Sequence, residues 1–323
     1  MSTVTMAGAL NRALHDAMDD DERVVVFGED VAELGGVFRV TDRLKERFAE
    51  RCFDTPLAES GIVGTAIGMA MYGYRPVVEL QFDGFSYPAF EQITSHLAKI
   101  PNRSRGAVQL PVVVRIPFGG GIGAVEHHSE SPEALYAHTA GLTIVTPSTP
   151  SDAYALLRAA IASPDPVLFF EPKRRYWTKE AVELPVTTEP MGTAVVRRPG
   201  TTATLIAYGP TVATCLEAAE AAGEEGWDLE VIDVRTLVPL DIATLVTSVE
   251  TTGRAIVVHE ASVFGGIGAE IAAELLERAF WTLEAPVLRV GGFDIPYPPA
   301  QLEHYHLPDV DRILDAVEQS MSY

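Results

Sequence analysis

At 323 residues the chain is long enough for two ordinary α/β domains, since single cores seldom grow much past about 250 to 300 residues. Hydrophobic residues make up 47% of it, yet no window approaches the roughly 20 uninterrupted apolar residues of a bilayer-spanning helix, and the start of the chain lacks a basic-then-apolar export signal. A net charge of −21 sets aside nucleic acid and anionic membrane as main partners, because both would repel it. Cys52 and Cys215, the two cysteines, are far apart and suggest neither a disulfide framework nor a zinc site, so the expectation is a soluble protein of the reducing cytoplasm.

Along the first half, helix-period segments alternate with short β-branched runs. A helix is expected near 5–19, then a strand at 23–28 (ArgValValValPheGly), helices near 41–49 and 60–73, and a strand at 76–80 (ProValValGluLeu). A helix near 87–99 follows, then strands at 111–116, 142–146 and 166–170 with a helix near 149–162 between the last two. Several helices open with Ser, Thr or Asp as a cap. This alternation is the mark of a parallel sheet covered by helices on both faces.

Residues 171–190 carry charge and proline without a sustained period, which marks a linker. A second α/β unit has expected strands at 202–207, 229–232, 255–258 and 286–290 and helices near 210–222, 241–249, 266–280 and 308–320. The organisation read from this is a domain over 1–175, a linker over 176–192 and a second domain over 193–323. Charge is uneven: residues 191–323 hold 20 acidic and 7 basic side chains and no lysine, against 25 and 17 in residues 1–190. An acidic second domain is either a solvated surface or a docking surface for a basic partner.

Two glycine clusters, GlyGlyGlyIleGly at 119–123 and GlyGlyIleGly at 265–268, lack the full dinucleotide-loop pattern and read as turns or close-packing points. More telling is AspThrProLeuAlaGluSerGlyIleValGlyThrAlaIleGly at 54–68. There Glu59 stands at a strand end, Ser60 is placed to cap a helix, and Gly61, Gly64 and Gly68 share one helical face, where a second helix can approach closely. Taken alone, Glu59 would be an exposed acid beside a cap.

The segment resembles the Glu-x4-Gly-x-x-x-Gly pattern of thiamine-diphosphate enzymes through Glu59, Gly64 and Gly68. PheGlyGluAspVal at 27–31, GlyGlyValPheArgValThr at 35–41, the run 79–93, HisHisSerGluSerProGluAla at 127–134 and the run 283–299 extend the likeness along the chain. Together they are similar to the β chain of the E1 component of 2-oxo acid dehydrogenases, the branched-chain type before the pyruvate type. The resemblance implies two doubly wound α/β domains, a thiamine-diphosphate-binding pyrimidine domain and a transketolase C-terminal-like domain. It implies oxidative decarboxylation of a 2-oxo acid with reductive acylation of a lipoyl group on E2.

It also implies roles for residues. Glu59 hydrogen-bonds N1′ of the aminopyrimidine and so favours the imino tautomer, whose 4′ nitrogen removes the thiazolium C2 proton. Phe85 stacks on the pyrimidine, Leu57 and Gln81 line the same pocket, and Phe82 is adjacent. His128, with His127 as the outside candidate, lies at the active centre and transfers a proton during acyl transfer. Ala160, Ser163 and Asp165 offer oxygens to a structural potassium ion.

The magnesium-binding GlyAspGly motif of such enzymes is missing, and Asn11 and Asn102, the only asparagines, do not complete one. The resemblance therefore implies that an α chain holds Mg²⁺ and the diphosphate in an α2β2 heterotetramer. It also implies that the acidic C-terminal domain receives a basic domain of the E2 acyltransferase. His259 and Glu260 belong to that domain's interior or interface, with no catalytic role. The competing readings are a pyruvate-type β chain, a subunit that mainly anchors the complex, and a split transketolase-like or ferredoxin-linked enzyme.

Overall fold

The apolar runs of the sequence become strands enclosed on both faces, which is why they read as continuous Val, Ile, Leu and Phe rather than as alternations. A computed structural model describes residues 3–323. Its strands are β1 (Thr3–Thr5), β2 (Val24–Gly28), β3 (Cys52–Asp54), β4 (Arg75–Glu79), β5 (Val113–Phe118), β6 (Thr143–Val145), β7 (Val167–Pro172), β8 (Lys179–Ala181), β9 (Val195–Arg198), β10 (Ala203–Ala207), β11 (Leu229–Asp233), β12 (Thr236–Val238), β13 (Ala255–Ser262) and β14 (Leu288–Gly292). The helices are α1 (Met6–Asp20), α2 (Leu44–Phe48), α3 (Glu59–Met71), α4 (Ile100–Arg103), α5 (Glu133–Ala137), α6 (Pro150–Ala162), α7 (Thr211–Ala222), α8 (Ile242–Thr252), α9 (Ile267–Ala279), α10 (Glu303–His306) and α11 (Val310–Met321).

One sheet runs β12-β6-β7-β5-β4-β2-β3, parallel except where β12 joins β6. The other runs β14-β13-β10-β11-β9, parallel except at β9. The expected caps appear on four helices: the side chains of Thr5, Thr149, Asp241 and Asp309 accept the backbone N–H of Gly8, Asp152, Thr244 and Arg312. One face of the first sheet packs under α1 and α6 through Leu10, Leu14, Leu156 and Leu157. Its other face shares a single apolar core with the second unit, where Phe27, Val78 and Leu168 belong with Ile206, Ile232 and Val257.

Several elements depart from the sequence reading. β12 comes from the second unit yet completes the first sheet, so the two halves are joined by a sheet as well as by a core. The segment read as a linker contains β8, which pairs antiparallel with β1. The helix expected near 87–99 is a set of tight 3₁₀ turns over Asp83–Ala89 passing into a wider π turn over Gln92–Leu97, with Pro88 inside. Ser60 is not the cap of α3: the helix starts at Glu59, Ala58 occupies the cap position without a side-chain bond, and Ser60 is exposed in the first turn.

Buried charge ties the halves together. Arg235, whose φ of 59° is left-handed, bonds Asp152 at the start of α6 at 2.7 Å, while Arg197 bonds Asp233 at 2.8 Å and also pairs with Asp152. Cys52 and Cys215 are both free and buried, and no helix among the described residues is long and apolar enough to cross a membrane.

Candidate active site at the carboxyl ends of the first sheet

In a parallel sheet the loops after the carboxyl ends of neighbouring strands converge, and ligands bind there. The order β7-β5-β4-β2-β3 therefore gathers, in space, residues that are far apart in sequence. Glu29 and Asp30 follow β2, Leu57 and Glu59 follow β3, and Gln81, Phe82 and Phe85 follow β4. The loop carrying His127 and His128 follows β5, and Lys173 follows β7.

Glu59 is only 8% exposed and opens α3, where a negative charge suits the helix dipole. Beside it lies Glu29, 6% exposed, whose carboxylate makes no well-formed hydrogen bond and has only the Ala58 backbone N–H nearby. Burial, and then the negative charge of Glu59, push the Glu29 carboxyl above its ordinary range. Two buried acids side by side, one of them poorly partnered, are costly unless something else satisfies them. Asp30, at a left-handed φ of 56°, bends the chain here, and the Gln81 side-chain amide donates to its carboxylate at 3.0 Å and to the Glu29 carbonyl at 3.3 Å. Leu57 stands at the rim, 79% exposed.

A second cluster adjoins the first through residues 81–82. The His128 ring lies 4.1 Å from the Phe82 centroid and 5.1 Å, edge-on, from that of Phe85, and the His127 ring is 4.3 Å away. Lys173 sits 5.3 Å above the Phe82 ring and pairs with Asp83, both side chains fully enclosed. Burial drives Asp83 up to about 7, against the pull of Lys173, and drives Lys173 down. His128 is pushed below its usual value by desolvation, then by His127 and Lys173, and its buried Nδ1 has no hydrogen-bond partner. A mostly neutral imidazole is thus held where it can accept a proton.

Glu59, Gln81, Phe82, Phe85 and His128, all expected from the sequence, thus come to one edge of one sheet, with Leu57 at its rim. Glu29, Asp83 and Lys173 were not singled out; Glu29 stood inside the PheGlyGluAspVal motif, but nothing local distinguishes a buried lysine or acid from a solvated one. Ala160, Ser163 and Asp165 lie together at the end of α6, remote in the fold from these residues. There the Arg75 guanidinium bonds the carbonyls of Ile161 and Ser163 at 2.6 and 2.7 Å, and the Ser163 hydroxyl donates to the Asp165 carbonyl at 3.1 Å. Among the described residues no three His, Cys, Asp or Glu side chains gather as a metal site. A groove of about 700 Å³ between the halves, walled by Ala137, Leu237, Pro239, Ile267 and Arg278, is lined by none of the site residues.

Fold and site together define an α/β protein of two parallel-sheet domains with its ligand site at the carboxyl ends of the first sheet. The models for the pyrimidine binding domain and the C-terminal domain of transketolase match residues 2–178 and 192–313. A solved chain described as a split-gene transketolase in an inactive β4 tetramer superposes with a TM-score of 0.82 at 26% identity, covering 99% of this chain and 98% of that one. The chain is 58% identical to the 3-methyl-2-oxobutanoate dehydrogenase subunit β of Mycobacterium tuberculosis, over 98% of this chain and 92% of that one. It is 56% identical to the pyruvate dehydrogenase E1 component subunit β of Leifsonia xyli subsp. xyli, over 100% and 96%. The chain belongs to the family of E1 β subunits of 2-oxo acid dehydrogenases.

Proposed function

We propose that the chain supplies the pyrimidine-facing half of a thiamine diphosphate site, and that an α chain holding Mg²⁺ and the diphosphate completes it in an α2β2 heterotetramer. The observation that carries this reading is the buried pair Glu29 and Glu59 at the carboxyl ends of β2 and β3, where the Glu29 carboxylate oxygens lack well-formed hydrogen bonds and suit a nitrogen heterocycle with donors on its edge. The other residues fit such a ring: Phe85 offers an aromatic face, Gln81 an amide and Leu57 an apolar rim. When bound, thiamine diphosphate supplies the carbon nucleophile and the electron sink that decarboxylation of a 2-oxo acid requires.

This chain's own contribution is positioning and proton transfer. Glu59 holds a hydrogen bond at N1′, Phe85 and Phe82 exclude water from the ring's flank, and His128 moves a proton as the acyl group passes to the lipoyl sulfur of E2. The exposed end of α3 leaves room for a partner chain at Gly68, where a methyl group would meet nothing within 4 Å. The net −13 of residues 191–323 supports docking of a basic E2 domain on the C-terminal half. Ala160, Ser163 and Asp165 are a poor fit to a structural potassium ion, because the Arg75 guanidinium already brings a positive charge to the Ser163 carbonyl. The free, buried cysteines support a cytoplasmic location.

For the substrate we favour branched-chain 2-oxo acids, on the runs at 53–59 and 289–299 and on the name of the 58% identical relative, a 3-methyl-2-oxobutanoate dehydrogenase subunit β. A relative at 56% named for pyruvate makes pyruvate the second reading. The test is to co-express the chain with an α chain bearing GlyAspGly and to compare 3-methyl-2-oxobutanoate with pyruvate. Turnover of pyruvate at least equal to that of the branched substrate would overturn the substrate assignment. In the same enzyme Glu59→Gln is expected to lower turnover by about 10³-fold or more; near-wild-type activity would instead make this chain a mainly structural anchor for E2.

A further inference from the structure

Two motifs not yet given a task meet at the boundary between the halves: GlyGlyGlyIleGly at 119–123 and IleProTyrProPro at 295–299. Residues 119–130 form a loop whose neck is closed by the Gly119 N–H donating to the Glu130 carbonyl at 2.8 Å. His127 and His128 occupy its second limb. That limb is fastened from the 3₁₀ turns after β4: the Glu130 N–H donates to the Asp83 carboxylate and the Tyr87 hydroxyl donates to the Glu130 carboxylate.

The first limb is held from the other half of the molecule. The Gly120 N–H donates to Glu260, which is 4% exposed. The Gly121 N–H donates to the Tyr297 hydroxyl at 3.1 Å and to Glu303 Oε2 at 3.2 Å, and the Gly123 N–H donates to Glu303 Oε1 at 3.1 Å. The Tyr297 hydroxyl in turn donates to Glu303 Oε2 at 3.0 Å. The fit leaves no room at the centre, since a β-carbon on Gly120 would lie 1.9 Å from the Tyr297 oxygen. Three side chains from β13, the 295–299 turn and α10 thus spend their acceptors on the backbone of one loop.

We infer that Glu260, Tyr297 and Glu303 are positioning residues for acyl transfer: they fix the first limb so that His128, on the second, keeps its place against Phe82 and Phe85. A loop bound at its neck and along its first limb has little freedom left to lose when a substrate arrives, so its histidine is already oriented. The clamp lies in the C-terminal half, the half proposed above to receive E2. The inference rests on the role given to His128 in that reading.

The test uses the α2β2 enzyme with 3-methyl-2-oxobutanoate and two acceptors, a lipoyl domain and ferricyanide, the second of which takes electrons without acyl transfer to a thiol. Tyr297→Phe and Glu303→Ala are expected to lower kcat for acylation of the lipoyl domain by about tenfold, the worth of one or two charge-assisted hydrogen bonds. KM for the domain and the ferricyanide rate should stay within about twofold, and Glu303→Gln, which keeps one acceptor oxygen but sets an amide N–H against a backbone N–H, should recover only part of the loss. The inference is overturned if the clamp variants acylate normally while His128→Ala does not, or if an intact tetramer loses both rates in equal measure. Normal acylation by His128→Ala brings down the underlying reading, and the inference with it.

Discussion

Glu133→Gln should change how stability responds to pH. Glu133, at the start of α5, is wholly buried; its Oε1 accepts the Tyr208 hydroxyl at 2.6 Å and its Oε2 has no partner. Burial pushes the carboxyl up from 4.5 to about 7, and the Tyr208 bond only partly offsets this. The folded-state value lies above the unfolded one, so the folded protein binds the extra proton between those pH values. Its stability contribution is complete below pH 4.5 and is lost as pH rises through about 7. At about 1.4 kcal/mol per pH unit the interval corresponds to roughly 3 kcal/mol of destabilisation by pH 8. Glu133→Gln does not ionise. Its amide keeps an oxygen for Tyr208 but leaves an NH₂ unpartnered, costing about 1 to 2 kcal/mol at every pH. The variant is therefore expected to be less stable than the parent near pH 4.5 and more stable at pH 8, with the difference changing by roughly 3 kcal/mol across that span. Urea midpoints of both proteins measured at half-unit intervals would show it. A difference that stays flat over the range would refute the assignment of a neutral, buried Glu133.

Three further outcomes follow from the same structure. Arg115, fully buried, grips Glu171 with two bonds of 2.7 and 2.8 Å and Glu79 with one of 2.7 Å, so Arg115→Met alone strands two carboxylates and should cost about 3 to 5 kcal/mol by denaturant titration. Replacing Glu79 and Glu171 by Gln as well should restore much of that, and a triple variant no better than the single one would count against the charge argument. Glu29→Gln removes a crowded, poorly partnered acid and is expected to raise the melting temperature at pH 8 while lowering turnover at least tenfold; a rise in both would show that Glu29 is only structural. A methyl group on Gly84 would lie 2.5 Å from the His127 carbonyl, so Gly84→Ala should cost about 1 to 3 kcal/mol and slow acyl transfer; unchanged melting and acylation would disprove the close approach.

The primary structure alone determined a good deal of this protein. The doubly wound strands were readable because strands buried on both faces must be continuously apolar, and the helices because their caps and 3.6-residue period are local. Glu59, Phe85 and His128 are expected from a family resemblance that local motifs carry, and the structure puts their loops on neighbouring strand ends. What local pattern could not express was which distant pieces meet. β3 and β12 are three-residue strands that gain their place only from a neighbour, and the 3₁₀ and π turns after Phe82 follow from the fit around Asp83 rather than from period. The poorly partnered acid at Glu29, the Asp83–Lys173 pair and the clamp on the glycine loop exist only once segments 30 to 182 residues apart in sequence are brought together. Burial and charge proximity are properties of that assembled space, and tertiary packing alone decides them.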